Sequence, residues 1–173
     1  MDTKSREGIP IVYLHTLNSS LIMKNILIPT DRAEILERIH KLTPTSKNQW
    51  GQMNVQQMMC HMADPLRDAI GVRKTKQVIP PFLGFLFKPM LLSQKPWKQS
   101  VPTSKGYDQI KGGGTPPTTF ENDKAQLLGV INAFVSVDPN PYTMHVICGK
   151  LTNEEWGKLM YKHTDHHLRS FGV

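Results

Sequence analysis

The chain has 173 residues, of which 39% are hydrophobic and 20% charged, and its formal net charge is +7. This composition is typical of one globular domain with a substantial core and excludes an intrinsically disordered protein. No apolar stretch approaches the roughly 20 residues of a membrane span, and two cysteines are too few for a disulfide framework. We therefore expect a cytoplasmic protein that has reduced thiols and no membrane partner.

The first 22 residues fit poorly with the rest of the chain. They show no clear helical period, no continuous apolar region typical of a signal peptide, and one short run, residues 9–14, with strand character. Met23 opens a segment that resembles a natural start. We interpret residues 1–22 as an N-terminal extension of uncertain structure, or an over-extended start, and residues 23–173 as the domain.

Two helices are predicted in the first half of the domain. The first runs from Asp31 to Leu42, with Thr30 or Asp31 as its cap, because its apolar residues recur at intervals of three and four. The second runs from about Val55 to Ile70. Asn54 and Gln57 have capping-box spacing at its start, and Pro65 should bend it because proline removes one backbone hydrogen bond.

A long crossover, residues 71–117, separates these helices from two more. The third helix is predicted to open at Thr118 or Thr119, with Thr118 and Glu121 at capping-box spacing, and to stop before Pro139. The fourth runs from Thr152, capped with Glu155, to Gly172. Four helices with one long crossover after the second predict an all-α four-helix bundle. Residues 143–148 have the character of an isolated strand.

The net charge of the chain comes from the crossover. Between Arg73 and Lys111 there are eight basic residues and one acid, Asp108, so this segment alone has a net charge of +7. It could form a rim that steers an anionic ligand, with Arg73, Lys74 and Lys76 as candidates, or it could be a solvated loop. Nucleic acid is the less favoured partner, because the cations are scattered and no nucleic-acid motif is present.

The last helix carries the clearest chemical signal. His163 and His167 are four residues apart, so their rings lie on one face about one turn apart, in line with the apolar stripe of this helix. Buried imidazoles are costly unless their lone pairs are used, and a metal ion would use them. His61, midway along the second helix, is the best-placed third ligand, although a buried core histidine is the alternative interpretation.

Several other residues are candidates for supporting roles around these histidines. Asp64 and Asp165 could orient ligand imidazoles by accepting their second N–H, although a solvated carboxylate is the simpler interpretation of each. His166 lies away from the centre of the stripe and is predicted beside the site or on the surface. Three imidazoles suit Zn, Ni, Fe or Cu. We expect Zn or Ni first, with Fe or Mn as alternatives.

Two segments together resemble the DinB/YfiT-like superfamily, in particular one of its uncharacterised branches. They are residues 50–64, Trp-Gly-Gln-Met-Asn-Val-Gln-Gln-Met-Met-Cys-His-Met-Ala-Asp, and residues 149–172, which include His-Thr-Asp-His-His at 163–167. The resemblance covers residues 23–173 and implies an up-down-down-up four-helix bundle with a metal triad of His61, His163 and His167. Where the family commonly has Gly-Gln after the double histidine, this chain has Arg169 and Ser170.

Characterised members of that superfamily include thiol-dependent transferases and isomerases. The leading hypothesis is therefore a metal-dependent enzyme, a thiol-dependent S-transferase or a hydrolase, acting on a small molecule such as an anionic thiol. A non-catalytic metal-binding or stress-response protein is the alternative from a different class. Catalytic residues beyond the ligands are not indicated, and a homodimer is left open.

Overall fold

The computed structural model describes residues 23–99, 101–137 and 144–173. The predicted N-terminal extension, including the run at 9–14, lies outside these residues. The described part is mostly helical and contains no strand, as expected for the all-α class. Around the predicted strand at 143–148 it has only an isolated bridge between His145 and Gly149. None of the described helices is long and apolar enough to cross a membrane.

Helix α1 spans Pro29–His40, and its start differs from the prediction. Ile28 is the N-cap residue and makes no side-chain cap. Pro29 instead occupies the first helical turn, where its missing N–H costs nothing. The carboxylate of Asp31 accepts a hydrogen bond from the backbone N–H of Asn25, 2.8 Å away, so it ties down the preceding segment and does not cap the helix.

Helix α2 spans Val55–Ala69 and begins as predicted. The Asn54 side chain accepts from the backbone N–H of Gln57, and the Gln57 side chain accepts from the backbone N–H of Asn54, both at 2.9 Å. Pro65 lies inside the helix. Most of its residues are buried, so this is the central helix of the described structure.

The crossover contains short helical segments. A 3₁₀ helix, Pro81–Leu86, precedes the four-residue helix α3, Lys88–Leu91, and two further 3₁₀ turns cover Lys105–Tyr107 and Gln109–Lys111. These two turns contact α2. The crossover therefore packs on the central helix, a placement that brings backbone atoms of the crossover to the histidine on α2.

Helix α4 spans Phe120–Ser136, and its cap is Thr119, whose hydroxyl accepts from the backbone N–H of Asn122. The alternative pairing of Thr118 with Glu121 is wrong, because Thr118 donates to the carboxylate of Asp123 through both its backbone N–H and its hydroxyl. This carboxylate satisfies two donors just ahead of the helix, where the helix dipole favours negative charge.

Helix α5 spans Asn153–Ser170 and has the predicted capping box. The Thr152 hydroxyl accepts from the backbone N–H of Glu155 at 3.1 Å, and the Glu155 carboxylate accepts from the Thr152 N–H at 2.8 Å. Helix α5 contacts both α1 and α2, and α2 also contacts α4. The apolar side chains between these four helices, Trp156 and Phe134 among the largest, form one buried cluster.

Candidate metal centre

Contact between α2 and α5 brings three histidines together. His61 comes from α2, and His163 and His167 come from successive turns of α5. One ligand nitrogen from each ring lies within 4.8 Å of the other two. The ring centroids of the three pairs are 5.0, 4.5 and 4.7 Å apart. The predicted pair and the third candidate therefore form one cluster, hereafter the histidine triad.

The spacing of one pair in the triad fits a metal ion. Nε2 of His163 and Nε2 of His61 are 3.1 Å apart. Two nitrogens that each bind one ion at about 2.0–2.1 Å are about 2.9–3.4 Å apart at ordinary coordination angles. A direct N–H···N hydrogen bond has a similar length, so the convergence of three rings is the stronger evidence.

The position of one proton on His61 follows from its surroundings. Nδ1 of His61 lies 2.9 Å from the backbone oxygen of Tyr107, in the crossover. A carbonyl oxygen only accepts, so Nδ1 carries the hydrogen and donates it. In the neutral ring, Nε2 then keeps its lone pair and points at His163. Metal-ligating histidines are commonly fixed through their second nitrogen in this manner.

Burial keeps the triad uncharged. Desolvation lowers the pKa of His61, partly opposed by the Tyr107 carbonyl and by nearby Asp64. Desolvation, followed by the neighbouring imidazoles, also lowers the pKa values of His163 and His167 well below their usual range. All three rings are therefore neutral at neutral pH, and each has a lone pair that could bind a divalent ion.

The two carboxylates predicted to orient the ligands have other partners. Asp64 is fully buried and accepts from the backbone N–H of Thr115 at 2.8 Å, the Thr115 hydroxyl at 2.5 Å and Arg67 at 3.1 Å. Asp165 accepts from Arg38, 2.8 Å away. The acceptor at His61 Nδ1 is a backbone carbonyl, which no side-chain pattern in the sequence reveals.

A polar cluster holds that carbonyl in place. The Tyr107 hydroxyl donates to the carboxylate of Asp68 on α2 at 2.6 Å. Arg73 donates to the same carboxylate at 3.3 Å and to the backbone oxygen of Gly106 at 2.8 Å. Arg73, Asp68 and Tyr107 thus fasten the crossover to α2, two turns after His61. We call these three residues the crossover clamp.

The clamp changes the interpretation of the predicted anion rim. The guanidinium of Arg73 is committed to the clamp and lies over the Tyr107 ring, 5.5 Å from its centroid. Lys74 and Lys76 are exposed. None of the three lines either of the cavities that border the triad.

His166 is buried beside the triad rather than on the surface. Its ring centroid lies 4.8 Å from that of Trp50, 5.6 Å from that of Trp97 and 5.2 Å from that of His167. Desolvation, followed by the positive charge of Arg169, lowers its pKa to about 4. His166 is therefore a neutral part of the wall around the site at neutral pH.

Two cavities border the triad. The smaller, about 120 Å³, is lined by all three triad rings and is hereafter the triad chamber. The larger, about 410 Å³, is lined by His167 and His166 but by neither of the other two triad residues. Residues 101–103 line both cavities. A ligand next to the triad would thus contact the crossover.

Comparison with known proteins gives no match: no family model, no curated protein and no solved structure is similar to this chain. The site's geometry is therefore the basis of any functional assignment.

Proposed function

We propose that this protein is a metal-dependent enzyme with a DinB/YfiT-like, up-down-down-up four-helix bundle, acting as a thiol-dependent S-transferase or a hydrolase. One observation carries the proposal. Three neutral, buried imidazoles from two helices place their ligand nitrogens within 4.8 Å of one another. The resemblance of residues 50–64 and 149–172 to that superfamily predicts the same three residues as ligands.

The donor set favours a borderline divalent ion, with Zn or Ni first and Fe or Mn as alternatives. A divalent ion held by the triad supplies Lewis acidity, which lowers the pKa of a water or thiol bound to it. Three neutral ligands leave the ion's double positive charge uncompensated. The site would therefore stabilise an anionic oxygen or sulfur atom at the point of reaction.

The cysteines of the chain are poor sources of a thiolate. Both are buried and free. Desolvation and the charge of Asp123 raise the pKa of Cys60 to about 12, and desolvation raises that of Cys148 to about 11. Since only the thiolate is a good nucleophile, a thiol reaction at this site needs a thiol substrate.

A non-catalytic metal-binding protein is the second candidate. It is favoured by one observation: no aspartate or glutamate lines the triad chamber. Within this chamber, the histidines are the side chains best suited to act as a general base, whereas a carboxylate, Asp108, lines the larger cavity. In this alternative, the protein binds the metal ion at the same site but catalyses no reaction.

Cobalt substitution separates these possibilities. In Co(II)-loaded protein, we expect 2-mercaptoethanol to produce a sulfur-to-cobalt charge-transfer band, and a His163→Ala variant to lose it. Loss of thiol in the presence of an epoxide, above the rate with metal-free protein, would identify a transferase, and cleavage of a small ester would identify a hydrolase. Cobalt binding without either reaction across a broad screen would favour the non-catalytic protein.

A further inference from the structure

The first short helices of the crossover expose a group of large apolar side chains. Phe82 and Phe85, in the 3₁₀ helix Pro81–Leu86, expose 75% and 62% of their surface. Single exposed apolar residues are common on proteins, but a group of them marks an interaction site. We call the exposed apolar residues of this helix and of α3 the apolar ridge: Phe82, Leu83, Phe85, Leu86 and Met90.

The geometry of the 3₁₀ helix turns the ridge outward. Such a helix has three residues per turn, so residues three positions apart share a face. The inward face consists of Gly84 and Phe87. A Cβ on Gly84 would lie 2.2 Å from the carbonyl carbon of Cys148, and Phe87 packs against the buried core. This close approach fastens the helix to the backbone at Cys148, and the two remaining faces point away from it.

The ridge projects from the surface and does not line a groove. About three quarters of Phe82 is open to solvent, and the ridge residues line neither of the cavities that border the triad. Peptide segments of protein partners are usually bound in a groove or at a sheet edge. Projecting aromatic and aliphatic side chains are instead suited to insertion at the interface of a lipid bilayer.

The charges of this part of the crossover favour an anionic partner. Residues 71–99 contain six basic residues and no acid. Arg73 belongs to the crossover clamp, and Lys88 pairs with Glu155 at 2.9 Å. The other four are exposed lysines: Lys74, Lys76, Lys95 and Lys98. Exposed lysines are attracted to anionic lipid headgroups, whereas a second copy of this segment would bring like charges together.

Lysines also lie beside the ridge in the folded chain. The backbone N–H of Val78 donates to the carbonyl of Val146 at 3.0 Å, two positions before the backbone that Gly84 contacts. Lys76 precedes Val78 by two positions, and Lys150 follows Val146 by four; both are exposed. The ridge and these cations therefore belong to one region of the surface.

We propose that the apolar ridge binds the surface of an anionic lipid bilayer, with its side chains inserted among the headgroups and the neighbouring lysines on the lipid anions. Such binding needs no spanning helix, and none is described. The proposal would replace the sequence-based expectation of no membrane partner, which considered only a spanning segment. It is independent of the metal site, so we expect zinc-loaded and chelator-treated protein to bind lipid equally.

Flotation of the full, untagged chain with lipid vesicles tests the proposal. Vesicles of equal parts phosphatidylserine and phosphatidylcholine are compared with vesicles of phosphatidylcholine alone. A lysine near an anionic surface contributes about fivefold to affinity, so with several lysines we expect at least about tenfold tighter binding to the mixed vesicles. This preference should shrink as salt is added, because salt screens the charges.

Two pairs of variants separate the apolar from the electrostatic contribution. Replacing both Phe82 and Phe85 by serine should weaken binding to the mixed vesicles about tenfold or more, because it removes the inserted rings. Ile28→Ser is the control, since Ile28 is an exposed apolar residue before α1. Lys76→Gln should weaken binding about fivefold, and Lys47→Gln, an exposed lysine between α1 and α2, should have a smaller effect. Unchanged urea midpoints would show that the variants are folded.

Four results would overturn the proposal. The first is no binding to the mixed vesicles at low salt, and the second is parent-like binding by the double phenylalanine variant, which would mean that charge alone holds the protein. The third is a dimer that this variant dissociates in sedimentation experiments, which would assign the ridge to a second copy of the chain. The fourth is binding of an acidic amphipathic peptide, but not of vesicles, through the same phenylalanines, which would assign it to a protein partner.

Discussion

Tyr107→Phe tests whether the crossover clamp positions a metal ligand. The substitution removes only the hydroxyl that donates to Asp68 at 2.6 Å. A hydrogen bond to a charged group contributes about 1.5–3 kcal/mol, so we expect the free energy of unfolding to fall by about that amount. The Tyr107 carbonyl would then be held less firmly at His61 Nδ1. Weakening such outer contacts of metal ligands typically costs about 10- to 100-fold in affinity, and we expect about tenfold because the carbonyl itself remains.

Tyr161→Phe is the matched control. The Tyr161 hydroxyl also donates to a carboxylate, Glu34, at 2.9 Å, but Glu34 lies on α1, whereas the triad residues lie on α2 and α5. Urea denaturation of metal-free protein gives the stability of each variant, and competition with a zinc chelator gives the affinity. Both variants should lose stability, and only Tyr107→Phe should lose zinc affinity. Equal zinc affinities for the two variants would refute the positioning role of the clamp.

Four further predictions concern stability, and urea denaturation checks each. Gly84→Ala should lower the free energy of unfolding by about 1–3 kcal/mol, because the new Cβ would lie 2.2 Å from the carbonyl carbon of Cys148. Gly129→Ala should instead raise it by about 0.5–1 kcal/mol, because Gly129 lies on α4 with open space around the position of its Cβ. Thr152→Ala should lower the free energy of unfolding by about 1 kcal/mol, because it removes the N-cap of α5. An unchanged midpoint of urea denaturation would contradict the capping role of Thr152. Burial lowers the pKa of His145 to about 4, so the unfolded chain binds a proton first as pH falls below about 6.5. The free energy of unfolding should therefore fall as the pH is lowered from 6.5 to 4, and His145 should account for up to about 3 kcal/mol of that loss. In His145→Gln the loss over the same pH range should be smaller.

Sequence patterns predicted correctly those features that residues close together in the chain determine. The capping boxes at Asn54 and Thr152 each involve side chains three positions apart, and both are present. The start of α1 was mispredicted because a polar residue near Pro29 was taken for the cap, whereas the proline itself begins the helix. The spacing of His163 and His167 indicated a shared face, and the structure places His61 against them.

The supporting contacts of the site could not be read from the sequence. The acceptor for His61 is a backbone oxygen 46 positions away, and backbone atoms leave no residue-type signal. Asp64 and Arg73 have the chemistry expected of a ligand-orienting carboxylate and an anion-binding cation. Their actual partners, Thr115 and the crossover clamp, depend on how the crossover folds back on α2, which side-chain periodicity does not encode.

The most direct test of the central claim is the metal content of untagged protein, measured by elemental analysis beside a His163→Ala, His167→Ala variant. His40→Ala is the control, because His40 is an exposed histidine at the end of α1. Our expectation is about one equivalent of a divalent metal in the parent and in the control, and almost none in the folded double variant. A parent that binds no metal after dialysis against zinc, nickel, iron and manganese, or a double variant that still binds one equivalent, would contradict it.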